Sequence, residues 1–119
     1  MSFSYTLKKE QDNILVIDLS GRLIEKNQAA ELLGELETSI ESGTLNLVVN
    51  LEGMSYMNST GLNVLITLLT RARKSGGEAI LANEPESIKK LLVITKLNQI
   101  FVVADTVKKA LEQLRTTEK

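Results

Sequence analysis

A chain of 119 residues, 43% hydrophobic but only 3% aromatic, suffices for one domain with an aliphatic core. Its 14 Lys plus Arg against 15 Asp plus Glu leave no charge excess that would call for nucleic acid or an anionic membrane as partner. With Cys 0 and His 0 it carries no disulfide, no thiol chemistry, no Ser-His-Asp catalysis, no histidine phosphotransfer and no His- or Cys-held zinc.

Tyr5 to Glu10 alternates weakly and predicts an edge strand. Asp12-Asn13 turns it into Ile14 to Leu19, a β-branched strand that Ser20-Gly21 should end. Asn27 suits an N-cap, and Ala30, Leu33, Leu36 (or Glu37) and Ile40, with Leu32 beside them, follow at helical steps until Gly43. Leu45 to Leu51 reads as a buried strand, apolar on both faces around Asn46 and Asn50. A second helix is expected from about Ser59 to Ser75, stopped by Gly76-Gly77. Glu78 to Ala82 is a short strand. Asn83-Glu84-Pro85 opens a third helix with Ile88, Leu91, Leu92 and Thr95 turned inward. Ile100 to Val103 is the last strand, and Asp105 caps a final helix whose Val107, Ala110, Leu111 and Leu114 face the core.

The predicted order, β-β-α-β-α-β-α-β-α, implies an α/β fold with a mixed, mostly parallel sheet and about four helices. One domain spans 1–119, with its core from about 4 to 115 and a polar tail, 116–119. Met1 to Tyr5 lacks the basic and then apolar pattern of a signal peptide, and no apolar run reaches the ~18 residues of a membrane span. A cytoplasmic protein is expected.

No G-x-x-x-x-G-K-[ST] loop is present for nucleotide phosphates. The strand ends, Ser20-Gly21, Glu52-Gly53, Ala82-Asn83 and Ala104-Asp105, hold too few carboxylates for a magnesium cluster. No catalytic residue, cofactor or metal is therefore expected, and the chain is read as a non-enzyme.

The segment Met57 to Leu62 carries the main question. It stands where a strand hands over to a helix, at the rim where open α/β domains place their sites. Asn58, Ser59 and Thr60 are all good N-caps, and Gly61 lets a helix lie close to a sheet, so capping alone explains the four residues. At about 100° per residue, Leu62, Leu65, Leu68, Leu69 and Ala72 form one arc toward the sheet. Ser59, Asn63, Thr70 and Lys74 form a second arc, joined by Ile66. Solvated helix faces favour Glu, Lys and Arg, whereas Ser59, Asn63, Ile66 and Thr70 fit a docking ridge headed by a serine. On the residues alone, cap and docking site both stay open.

The stretch from Leu47 to Leu65, LVVNLEGMSYMNSTGLNVL, resembles the core of the STAS family, the sulphate-transporter and anti-sigma-factor-antagonist domains, where a strand leads into D-S-x-G-L-x-x-L. The resemblance continues through Arg71 to Gly77, Ala79 to Asn83 and Ile88 to Phe101, and Leu19-Ser20-Gly21-Arg22-Leu23 resembles the family's strand-end G-x-L. It implies an anti-sigma factor antagonist that binds an anti-sigma factor, itself a serine kinase, until phosphorylated, with a serine phosphatase to restore it. By position the phospho-acceptor is Ser59, with Asn58, Thr60, Gly61, Asn63, Ile66 and Thr70 shaping the site or meeting the partner. Asn58 stands where the family usually has Asp, Asn50 where a strand Asp is common, and Lys96 where Gly often precedes the leucine matched by Leu97. The resemblance equally implies an alternative, a docking subunit of an ABC transporter or signalling assembly that is never phosphorylated. Met54 and Tyr56, beside the turn, are further candidates for partner contact.

Overall fold

Two left-handed residues, Asp12 (φ 67°) and Asn13 (φ 61°), fold the first strands into an antiparallel hairpin, β1 (Ser4–Glu10) with β2 (Ile14–Leu23). Asp and Asn accept that conformation more readily than other residues with a Cβ. The computed structural model describes residues 3–117 and gives the order β1, β2, α1 (Ala30–Glu41), β3 (Asn46–Met57), α2 (Ser59–Lys74), β4 (Ala79–Ala82), α3 (Glu86–Ile94), β5 (Val102–Ala104) and α4 (Val107–Thr117). Helix α4 runs past the expected core limit at 115, and residues 118–119 of the expected tail lie outside the described residues.

The five strands lie in the order β1-β2-β3-β4-β5, antiparallel at β1–β2 and parallel thereafter. Each parallel step moves to the adjacent strand in the same direction, so crossovers of one hand put α1, α2 and α3 on one face. Leu32 and Leu36 of α1, Leu65 and Leu68 of α2 and Ile88 and Leu92 of α3 join Leu15, Ile17, Val49 and Leu81 in that core. On the other face α4 sets Ala110 and Leu114 against Ile14, Val16, Val48 and Ile80.

Both long strands exceed their predicted lengths. Ser20-Gly21 does not end β2, because Gly21 (φ 93°) and a register shift against β3 carry the strand on to Leu23. Strand β3 likewise continues past Leu51 to Met57, six residues beyond the apolar run. Asn27 is not the N-cap of α1. It lies inside a 3-10 turn, Lys26–Ala29, whose start is braced by Gln28, its Oε1 accepting from the N–H of Ile24 and of Glu25 at 2.9 Å each. Helix α1 therefore buries Leu32, Leu36 and Ser39, while Ala30 is exposed and Leu33 and Ile40 are half-buried. Thr106, not Asp105, caps α4: its Oγ1 accepts from Lys109 N–H at 3.1 Å, and Asp105 pairs with the Lys109 ammonium at 3.5 Å. Thr95 is exposed at the end of α3, and β5 starts at Val102, because a 3-10 turn, Leu97–Gln99, separates the two.

Three helices end in one way. After α1, Gly43 (φ 115°) donates to Ile40 and Thr44 donates to Ser39. After α2, Gly76 (φ 94°) donates to Arg73 and Gly77 donates to Ala72. Both are Schellman ends with glycine in the left-handed position. After α3 the same place is held by Lys96 (φ 64°), which donates to Val93. A lysine there costs about 1 kcal/mol relative to glycine.

A row of hydrogen bonds crosses the sheet from β1 to the residue after β4. Thr6 Oγ1 donates to Asp18 (3.2 Å), Asn50 Nδ2 donates to Asp18 (2.7 Å), and Asn83 Nδ2 donates to Asn50 Oδ1 (3.0 Å). Asn50 acts as a donor to a carboxylate, which an aspartate cannot do unless protonated. Glu84, next in the chain after Asn83, buries its Oε2 without a hydrogen-bond partner among the described residues. Burial raises the Glu84 pKa, with Glu86 raising it further and Lys89 lowering it. A raised folded pKa means that its stabilising contribution is complete below the usual glutamate value of about 4.3 and is lost as pH rises through the folded value. Glu84→Gln is therefore expected to raise the melting temperature at pH 7, with the gain vanishing below about pH 4. A gain of equal size at both pH values would contradict this origin.

Candidate functional site

Strand β3 ends at Met57, and the next residue makes the helix cap. Asn58, in extended conformation, accepts from Gly61 N–H through Oδ1 at 3.1 Å and donates from Nδ2 to the Ile24 carbonyl at 3.2 Å. The cap therefore uses both ends of an amide. An aspartate would keep the cap but lose the donor and set an oxygen against that carbonyl. Gly61 is buried for a steric reason. A Cβ there would stand 2.6 Å from the Leu23 carbonyl oxygen and 2.6 Å from Met57 Cβ. Gly61→Ala is expected to lose about 2–3 kcal/mol by forcing α2 away from the end of β2. Urea unfolding measures it, and a midpoint equal to wild type contradicts the packing argument.

Ser59 is the first helical residue, exposed, and among the described residues nothing hydrogen-bonds its hydroxyl. The capping role belongs to Asn58, which leaves the Ser59 hydroxyl open to solvent or to another molecule. Thr60 is half-buried. Asn63 and Thr70 are exposed along the same side of α2 as Ser59, as their seven-residue spacing requires. Ile66 belongs to the ridge but is half-buried and packs against the core, so less of it is offered to a partner than its position on the helical wheel implies. Leu62, Leu65, Leu68, Leu69 and Ala72 are buried as expected, with Val64 in addition.

Two neighbours of the turn differ in kind. Met54 is a core residue, 4% exposed. Tyr56 is 44% exposed, and the Arg22 guanidinium sits 4.8 Å from its ring centroid, pairing the ends of β2 and β3. The sequence did not single out Ile24 and Glu25, which Asn58 and Gln28 hold beside the α2 N-terminus. The Ile24 contact with Asn58 spans 34 residues and leaves no local pattern. At the far end of the ridge, Arg71 pairs with Glu37 of α1. Arg73 pairs with Glu78 at 3.1 Å and donates to the Ile100 carbonyl at 3.1 Å.

The chemistry open to this site is narrow. Among the described residues no group of three or more His, Cys, Asp or Glu side chains is placed to hold a metal. Among them also, no helix is long and apolar enough to cross a membrane. What remains is an exposed hydroxyl at a helix N-terminus, heading a mostly uncharged ridge.

Known proteins resemble this chain in sequence and in fold. The "Anti-sigma-B factor antagonist" of Bacillus subtilis is 31% identical over 96 residues, covering 81% of this chain and 86% of that protein. The unphosphorylated form of the anti-sigma factor antagonist SpoIIAA superposes with a TM-score of 0.75 at 22% identity, over 94% of this chain and 98% of the other. An anti-sigma factor antagonist from Mycobacterium paratuberculosis superposes with a TM-score of 0.78 at 20% identity, over 96% and 95%. The STAS domain pattern itself matches residues 5–110, from the first strand into α4 and across the whole turn at Asn58 to Gly61. This chain therefore belongs to the STAS domain family.

Proposed function

We propose that this protein is an anti-sigma factor antagonist switched by phosphorylation of Ser59. Unphosphorylated, it binds an anti-sigma factor that is also a serine kinase and so frees the sigma factor for transcription. Phosphorylated on Ser59, it lets that partner go, and a serine phosphatase resets it. The observation that carries the reading is the division of labour at the turn: Asn58 caps the helix, and the Ser59 hydroxyl is exposed and unengaged. The named function of the Bacillus subtilis relative supports it. No cofactor, nucleic acid or membrane insertion is required, and the whole process is cytoplasmic.

The physics of the switch follows from the position. A phosphate adds about −1.5 to −2 charges at pH 7. At the N-terminus of α2 it meets free N–H groups, the positive end of the helix dipole and a cap that carries no charge of its own. The fold should tolerate it. A partner seated on Ser59, Asn63, Ile66 and Thr70 should not, because it would have to bury an unpaired dianion. Incubation with the purified anti-sigma factor and ATP tests this. Mass spectrometry should place one phosphate on Ser59, and Ser59→Ala should take none. Phosphate at another residue, or none on wild type, would remove the proposal.

A second reading has one observation in its favour. Asn58 is neutral and both of its polar ends are engaged, so it offers a kinase no charge beside the acceptor. In that case the same ridge would meet an ABC-transporter or signalling partner permanently.

A further inference from the structure

Between Ser87 and Ala104 the chain carries Lys89, Lys90 and Lys96 and no acidic residue, although its net charge is −1. The same segment exposes large apolar side chains. Ile94 is 77% exposed, Val93 54% and Ile100 40%, at the end of α3 and the 3-10 turn after it. Val103, 40% exposed, points to the same face of the sheet, since its register partner Leu81 lies in that core. A cationic apolar tip of this kind is not needed by the fold, whose inward residues in α3 are Ile88 and Leu92.

At the tip, Lys96 occupies a backbone position where glycine would be more stable. Helices α1 and α2 place Gly43 and Gly76 in the left-handed position that ends them. Helix α3 places Lys96 there, at φ 64° and exposed, and no carboxylate lies within ion-pair distance among the described residues. Strain kept at one such position, beside protruding apolar residues, points to a binding role for the side chain.

We propose that this tip is a second contact for the anti-sigma factor that docks on α2, received by an apolar hollow rimmed with carboxylates. The inference rests on the function proposed above. The two surfaces join: Arg73, one helical repeat beyond Ile66 on the ridge, donates to the Ile100 carbonyl. One partner lying across α2 reaches both. A second copy of this chain is a poorer occupant, because a two-fold contact would bring the lysines of both copies together. A bilayer is poorer as well. The tip has no Trp or Tyr to sit at the headgroup level.

The test titrates the purified anti-sigma factor, by calorimetry, with wild type, Ile94→Glu, Lys96→Gly and Ser59→Asp. Ile94→Glu, at an exposed site, should fold normally and bind at least about tenfold more weakly. Lys96→Gly should melt about 4 °C higher, because glycine suits the left-handed position, yet bind several-fold more weakly. A purely structural lysine cannot give that opposite pair of changes. Ile94→Glu and Lys96→Gly binding like wild type, while Ser59→Asp fails, would overturn the second contact and leave the Ser59 switch standing. Weak binding by Ile94→Glu with Ser59→Asp unimpaired would keep the tip and remove the switch. Wild type sedimenting with phosphatidylcholine–phosphatidylglycerol vesicles, or forming a dimer in ultracentrifugation, overturns the assignment if Ile94→Glu abolishes that behaviour and not partner binding.

Discussion

Ser59→Asp should fold and melt like wild type and bind the anti-sigma factor at least about 100-fold more weakly, a loss of roughly 3 kcal/mol. The two halves of that expectation come from different atoms. The cap of α2 is Asn58, whose Oδ1 holds the Gly61 N–H, so changing Ser59 removes no capping bond. A carboxylate in the first turn is also favoured by the helix dipole, by about 0.3–1 kcal/mol. Binding is another matter, since a charge at the head of an uncharged ridge must be desolvated by whatever covers it. Ser59→Ala should retain binding and resist phosphorylation. Titration calorimetry with melting curves on the same samples checks both halves. Equal affinity for all three proteins would mean that Ser59 lies outside the interface.

Gly77→Ala should cost at least about 4 kcal/mol, a large part of the 5–15 kcal/mol by which a domain of this size is stable. A Cβ at that position would lie 1.8 Å from the Leu45 carbonyl oxygen and 2.4 Å from its carbonyl carbon. Both are backbone atoms of the residue just before β3, in whose first residues Leu47 N–H donates to Glu78 (2.8 Å) and Asn46 Oδ1 accepts from Glu78 N–H (2.8 Å). Relief would require moving β3 relative to β4. The neighbouring Gly76→Ala is the control. It has φ 94° and nothing within 4 Å of an added Cβ, so its cost is conformational only, about 1 kcal/mol. Urea midpoints should rank wild type above Gly76→Ala and Gly76→Ala far above Gly77→Ala. The reverse order would contradict the steric account.

The inward face of α2 was legible because its leucines recur at helical steps and one helix turn repeats the same environment. The glycine stops after α1 and α2 were legible because the left-handed position selects that residue. The cap was not, because Asn58, Ser59 and Thr60 are chemically equivalent candidates. The choice falls to where β3 stops, and β3 crosses Glu52-Gly53 and Ser55-Tyr56, a stretch whose bulged pairing breaks the two-residue alternation. Asn58's bond to Ile24 and Asn50's bond to Asp18 join residues 34 and 32 apart in sequence. Both asparagines depart from the family's usual Asp, and both departures acquire a reason only when the donor's target is in place. Ile66 lost exposure because neighbouring side chains in the core layer meet it, which a single-helix projection cannot show. Lys96 looked like a mere departure from glycine, and its left-handed φ turns it into a clue.

The central claim is that Ser59 carries a reversible phosphate that decides whether the partner stays. The most direct measurement is the intact mass of the protein purified from its own host, with the modified residue located by fragmentation. A population carrying one phosphate, confined to Ser59 and absent from molecules bound to the anti-sigma factor, is the predicted result. Unmodified protein throughout, held in a stable complex with a transporter ATPase, would contradict it.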